Sequence, residues 1–307
     1  MIRYRMMGWG ILFVVVVLFQ VSTVPAGPHK DLTVEQAYPG LATGVLKSAK
    51  LSKIPNGVLL KTNGIEINKS LINEIVDKAE PKLRHQLEKN LFYLLEQETT
   101  KNILVKEART AGIAVDDLTD AQVIKIYLNQ MVQKAVVSEK EAKAFYAANK
   151  NMVSGMPFDQ VKESIKNFLL QQKRLTIIDS YIRNLGQRID IQISADWVKA
   201  QYILAKDNPV GKARMSGRPT MVEFGATGCI PCDMMQPILN NLRKKYPDKL
   251  NVVFVHVREE QILGARFGIR SIPVQVFFDR NGEEVFRHEG FLPESKITEV
   301  LSKMGVS

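Results

Sequence analysis

The chain has 307 residues, 45% hydrophobic and 24% charged, so it can bury ordinary cores, and its length corresponds to about two domains. A formal charge of +10 would suit nucleic acid or an anionic membrane surface. The basic residues, however, are interspersed with acids on helix-like faces, as in SEKEAKAF (Ser138 to Phe145), and no basic block with interleaved aromatics occurs. Nucleic acid is therefore excluded as a partner. Two cysteines, Cys229 and Cys232, are too few and too closely spaced for a disulfide-stapled secreted scaffold.

The first segment reads MIRYRMMGWGILFVVVVLFQVSTVPAGPHKD. Arg3 and Arg5 precede an unbroken apolar run from Ile11 to Phe19, and Val24-Pro25-Ala26 is a small-residue end suited to cleavage after Ala26. Residues 1–26 are read as a signal peptide. No charge occurs between Met6 and Pro28, a stretch about long enough to span a bilayer, so a retained anchor is the alternative. In both cases the arginines stay inside and the rest of the chain lies in the periplasm or another extracytoplasmic space.

Residues 27–57 are punctuated by Gly and Pro, weakly patterned, and read as an entry segment or linker. VLLKTNGIEI (Val58 to Ile67) predicts two short strands around an Asn-Gly turn. A helical stripe follows with Leu71, Ile72, Ile75, Val76 and Ala79, broken at Pro81. The next runs from Leu83 through Leu87, Leu91, Leu94, Leu95, Ile103, Leu104 and Ala108 to Gly112. Thr119 with Gln122 and Ser138 with Glu141 have capping-box spacing ahead of further helices. One long helix is predicted from about Phe158, with Gly186 as its stop, and IDIQIS (Ile189 to Ser194) alternates as a strand. Residues 58–195 thus form a helical domain with small β pieces at both ends. The four histidines, His29, His85, His256 and His288, are far apart in sequence and read as surface or structural residues rather than metal ligands.

This order of elements, with LLEQETTKNILVKEARTAGIAVDD, VSEKEAKAFYAANK, PFDQVKESIKNFLLQQKRL and IDIQIS, resembles the N-terminal chaperone domain of SurA-type periplasmic folding factors over about 140 residues. In that family a parvulin prolyl-isomerase domain is often inserted before the last helix. Here NKNMVSGMP (Asn149 to Pro157) leaves no room for one, so isomerase activity does not carry over. The resemblance implies a cradle for extended or partly folded polypeptide; a helical spacer or dimerisation element is the alternative.

From Arg218 the pattern changes. PTMVEF, NVVFVHV and IPVQVFF read as short apolar strands, and helices are predicted over Cys229 to Tyr246, over QILGARFG and over Pro293 to Met304. An Asn281-Gly282 turn leads into EEVFRHEG. The cysteines fall where the first strand hands over to its helix. A thiolate there is stabilised by unpaired amides and the helix dipole, so Cys229 ionises more readily than a free cysteine. Pro231 suits the first helical turn. Two intervening residues let Cys232 reach a mixed disulfide on Cys229, a geometry that serves exchange and offers little as a staple. Two thiols with two histidines could instead bind zinc, but one CxxC with no second pair favours redox chemistry.

Residues 202–307 resemble thioredoxin in MVEFGATGCIPC, FGIRSIPVQVFFDRNGE and EGFLPESKITEVLSKMG. The fold class implied is multidomain: a mainly helical SurA-like domain followed by an α/β thioredoxin-like fold. The resemblance implies that Cys229 is the exposed nucleophile and Cys232 the buried resolving thiol. Pro273 is then the cis-proline facing the disulfide, the Ile272 backbone pairs with a substrate strand, and Glu223 is the buried acid that takes the Cys232 proton. The active-site loop departs from the family at Gly228, where a tryptophan is common, and at Ile230. The first strand and helix of the fold are compressed into QYILAKDNPVGKARMSG. Ile230 and Pro231 tune the direction of electron flow, and Pro231 before Cys232, as in reducing thioredoxins, favours reduction or isomerisation. No cofactor is expected beyond the Cys229–Cys232 disulfide. The partners implied are unfolded or cysteine-containing protein substrates and an upstream redox partner in the membrane. The reading is an extracytoplasmic thiol–disulfide oxidoreductase; the alternative is a periplasmic chaperone or scaffold whose thioredoxin-like domain only binds.

Overall fold

The computed structural model describes residues 32–114, 117–150 and 155–307; the predicted leader lies outside the described residues. The first element is the short helix α1 (Val34–Ala37), opened by a reciprocal Thr33–Gln36 capping box. A 3₁₀ turn (Val45–Ser48) and strand β1 (Lys50–Ser52) follow. Strands β2 (Val58–Thr62) and β3 (Ile65–Asn68) form the predicted hairpin. Its turn places Asn63 and Gly64 at φ 35° and 79°, the left-handed conformation that Asn-Gly adopts most cheaply.

The helices then run α2 (Lys69–Asp77), α3 (Pro81–Glu88), α4 (Leu91–Thr110), α5 (Asp120–Val132), α6 (Glu139–Ala148) and α7 (Phe158–Arg188). Pro81 opens α3, where its missing N–H leaves no helical bond unmade. The predicted capping boxes form at Thr119–Gln122 and Ser138–Glu141. The long stripe expected from Leu83 divides at Asn90 into α3 and α4.

Strand β4 (Ile191–Ser194) and helix α8 (Ala195–Leu204) close this unit. Its sheet has the order β1-β4-β2-β3, with β1 parallel to β4 and the other pairs antiparallel. The expectation of a linker over 27–57 fails for its described part. Val34, Leu41, Ala42, Val45, Leu46 and Leu51 are buried in the same core as Phe92, Leu95, Ile103, Ile191 and Ile193. The loop entering the 3₁₀ turn is held from α4: the buried Glu96 carboxylate accepts from the Thr43, Gly44 and Leu46 amides at 2.9, 2.9 and 3.2 Å, and from Thr43 Oγ1 at 2.9 Å. Gly186 does not stop α7. It lies inside the helix, where a Cβ would come within 2.2 Å of the Val45 carbonyl oxygen. The residue is glycine because the 3₁₀ turn packs directly on the helix backbone.

The stretch 195–218 is mostly helical. Val198 and Ala205 belong to the first core, and Trp197 stacks on Phe92. Helix α9 (Pro209–Arg214) instead places Val210 in the second unit. That unit continues with β5 (Thr220–Gly225), α10 (Ile230–Lys245), β6 (Asn251–His256), α11 (Gln261–Arg266), β7 (Val274–Phe278), β8 (Glu284–Glu289) and α12 (Glu294–Lys303). Its sheet order is β6-β5-β7-β8, with β5 and β6 parallel and the rest antiparallel. Met221 and Phe277 pack on Met235, Leu239, Ile297 and Leu301 of α10 and α12. Val222, Phe224, Val255, Val274 and Val276 pack on Val210 and Leu263 of α9 and α11 on the other face. Every β5 residue is buried, the pattern of a central strand covered on both sides. Among the described residues no helix is long and apolar enough to cross a membrane.

Candidate active site

The end of β5 and the start of α10 bring the two cysteines together. Cys229 is the N-cap of α10, and Cys232 lies in its first turn behind Pro231. Their sulfurs are joined in a disulfide, with Cα atoms 5.2 Å apart. Cys232 is 1% exposed, whereas Cys229 is half-buried, so an incoming group meets Cys229 first. Ile230, 77% exposed, presents an apolar side chain beside it. Gly228 has φ +76° with open space where a Cβ would stand. Backbone conformation, not crowding, therefore disfavours the bulky tryptophan common there.

The Ile272–Pro273 peptide is cis, and it faces the disulfide: Cys229 Sγ lies 4.0 Å from the Ile272 carbonyl oxygen. Pro273 is buried and Ile272 half-buried.

Beneath the disulfide, a Cβ added to Gly225 would stand 3.5 Å from Cys232 Sγ and 3.0 Å from a ring carbon of Phe254. A side chain here would press on the Phe254 ring and touch Cys232, so glycine keeps this face of β5 clear directly under Cys232. Glu223, two residues earlier and on the same face, is the first side chain below it. Glu223 is fully buried between its ladder partners Phe254 and Gln275, and neither carboxylate oxygen nor the Gln275 amide forms a hydrogen bond. Burial pushes the Glu223 carboxyl up to about 8, because a charge away from solvent is disfavoured, and the neighbouring Gln275 side chain offsets only part of that rise.

One contributor was not anticipated from the sequence. His256, at the end of β6 and opposite Gly225 in the register, accepts at Nε2 from the Thr227 backbone N–H (3.1 Å) and lies 3.0 Å from Thr227 Oγ1. Acceptance from an amide places the ring proton on Nδ1, which is buried, forms no hydrogen bond and has Glu259 Oε1 4.0 Å away. Arg258 Nη1 donates to Thr227 O at 3.3 Å. The loop leading to Cys229 is thus pinned from β6 and the residues after it. Only the register of the finished sheet reveals this role. Of the other histidines, His85 is exposed, His288 is half-buried, and His29 lies outside the described residues. Among the described residues no group of three or more His, Cys, Asp or Glu could hold a metal ion.

A family model described as a thioredoxin-like domain matches residues 207–305. Thioredoxin of Staphylococcus saprophyticus is 37% identical over 83 residues, covering 27% of this chain and 79% of its own length. Thioredoxin 1 of Synechococcus elongatus is 33% identical over 88 residues, covering 29% and 81% respectively. Among solved structures, a mutant thioredoxin from Halobacterium salinarum is 25% identical over 30% of this chain and 80% of that one, with a TM-score of 0.29.

Proposed function

The chain belongs to the thioredoxin family through its C-terminal third, and from that premise we propose that it is an extracytoplasmic thiol–disulfide oxidoreductase. It acts on cysteines of unfolded or extended polypeptides held by the helical domain, in the direction of reduction or isomerisation. The observation that carries this reading is the Cys229–Cys232 disulfide at a helix start, facing the cis Ile272–Pro273 peptide and lying over the buried Glu223.

In the reducing direction the Cys229 thiolate attacks one sulfur of a substrate disulfide. A bond forms from Cys229 Sγ to that sulfur, and the other substrate sulfur leaves as a thiolate. Cys232 then gives its proton to the Glu223 carboxylate and attacks Cys229 Sγ, forming the Cys229–Cys232 disulfide and releasing the second substrate thiolate. Two electrons pass from the dithiol to the substrate, and a membrane-bound reductant restores the dithiol. Extended backbone pairing with Ile272 holds the attacked cysteine in line.

The helical domain's resemblance to SurA-type chaperone domains supports client holding. The leader supports a site of action outside the cytoplasm, whether cleaved after Ala26 or kept as an anchor. Pro231 before Cys232 supports the reducing direction. The test is insulin-disulfide reduction by the full chain. Wild type should turn over and Cys229→Ala should not; equal behaviour of the two would leave a binding scaffold as the better reading.

A further inference from the structure

The segment leading to the cis peptide is held from outside its own domain. At the start of α11, Gln86 of α3 donates from Nε2 to Glu259 O (2.6 Å) and accepts at Oε1 from the Ile262 amide (3.1 Å). At the end of α11, Arg266 Nη1 donates to Asn90 Oδ1 (2.7 Å) and to Ala205 O (3.0 Å), both in the helical domain. Four residues on, the Arg270 guanidinium grips Asp179 of α7 in a two-pronged pair, at 2.9 and 3.3 Å. The next residue, Ser271, donates from Oγ to Glu289 Oε2 (3.1 Å), and the same oxygen accepts from Gln172 Nε2 of α7 (2.7 Å). Asp179 and Gln172 are seven residues apart, two helical turns, and so lie on one face of α7. The following residue is Ile272, whose carbonyl oxygen lies 4.0 Å from Cys229 Sγ.

We propose that α7 is a positioning element of the exchange site: Asp179 directly, and Gln172 through Glu289, fix Arg270 and Ser271 and thereby the Ile272 backbone on which an extended cysteine-bearing polypeptide pairs. The proposal rests on the substrate-pairing role given to Ile272 above. A strand can dock at full strength only on a backbone that is already ordered, because ordering it on binding subtracts from affinity. A small disulfide needs Cys229 alone and does not feel the loop. The helical domain therefore confers preference for extended polypeptide over small disulfides, through the geometry of the loop and independently of any client that it binds itself.

The contact is suited to this work rather than to global stability. Arg270 and Asp179 are 48% and 38% exposed, and exposed pairs contribute little to unfolding free energy. Their removal should free the loop and leave the melting temperature nearly unchanged.

The test compares full-length wild type, Arg270→Asp, Asp179→Arg, the double exchange of both, and Asp179→Asn as a milder variant. Each is read by amide hydrogen exchange over residues 268–274 and by KM for insulin against KM for hydroxyethyl disulfide. The single variants should exchange faster in the loop and raise the insulin KM by about fivefold or more, the low end of coupling between sites. Hydroxyethyl disulfide kinetics should stay as in wild type, and the double exchange should restore both readouts. Unchanged loop exchange and unchanged insulin KM in the single variants would overturn the proposal, as would a double exchange that restores neither. A wild type inactive on insulin would instead defeat the functional reading, while loop exchange would still decide whether α7 orders the loop.

Discussion

Glu223 is a carboxyl group poorly placed to carry a charge: fully buried, flanked by Phe254 and Gln275, and shifted to about 8 by burial that Gln275 only partly offsets. The folded state therefore holds its proton more tightly than the unfolded chain, whose glutamates titrate near the ordinary 4.5. The stability this gives is fully present below about 4.5 and is lost as pH rises towards about 8, at about 1.4 kcal/mol per pH unit at most. Glu223→Gln keeps the volume and removes the titration. Its stability relative to wild type, from urea unfolding at pH 5 and pH 9, should improve with pH by a few kcal/mol. An unchanged difference would mean that Glu223 is ionised throughout. Mixed-disulfide resolution by wild type should rise through about pH 8 as Glu223 ionises, and the same variant should flatten that rise while initial attack by Cys229 changes little. His256 makes a separate prediction. His256→Ala removes the acceptor for the Thr227 amide and should cost about 1–2 kcal/mol, with faster amide exchange at Thr227; unaltered exchange would mean the loop is held without it.

At the scale of elements, the sequence reading succeeded where a local rule sufficed. The Asn63-Gly64 hairpin, the capping boxes at Thr119 and Ser138, and the strand-to-helix handover at Cys229 are all local patterns. It failed where a distant partner decides. Strand β1 is three residues long and earns its place by pairing with β4, Lys50 opposite Gln192 and Ser52 opposite Ser194, so no periodicity could announce it. Gly186 has the look of a helix stop, yet it is a contact surface for Val45. Gly186→Ala would force the 3₁₀ turn off α7 and should destabilise the protein by about 1–3 kcal/mol, as overpacking does. A thermal shift near zero would show that the turn moves freely. Asp179 and Gln172 were illegible for a related reason, since a polar residue on an exposed helix face reads the same whether it meets water or another domain.

At the scale of the whole molecule, the two domains are docked and share surfaces through α3, α7 and α11. An excision bounded at residues 58 and 195 would strip β1 of its partner β4 and uncover Val198 of α8, so client capture is better tested in the full chain. Cys232→Ser cannot resolve a mixed disulfide and should accumulate polypeptides on Cys229 that a reductant releases. The central claim is that the Cys229–Cys232 pair is a working redox couple, and the equilibrium reduction potential of that pair tests it most directly. Equilibration of the full chain with thiol–disulfide buffers should give a reversible two-electron transition between about −180 and −270 mV, the span from protein disulfide isomerase to thioredoxin. A pair that stays oxidised below about −300 mV, as structural disulfides do, would contradict the account.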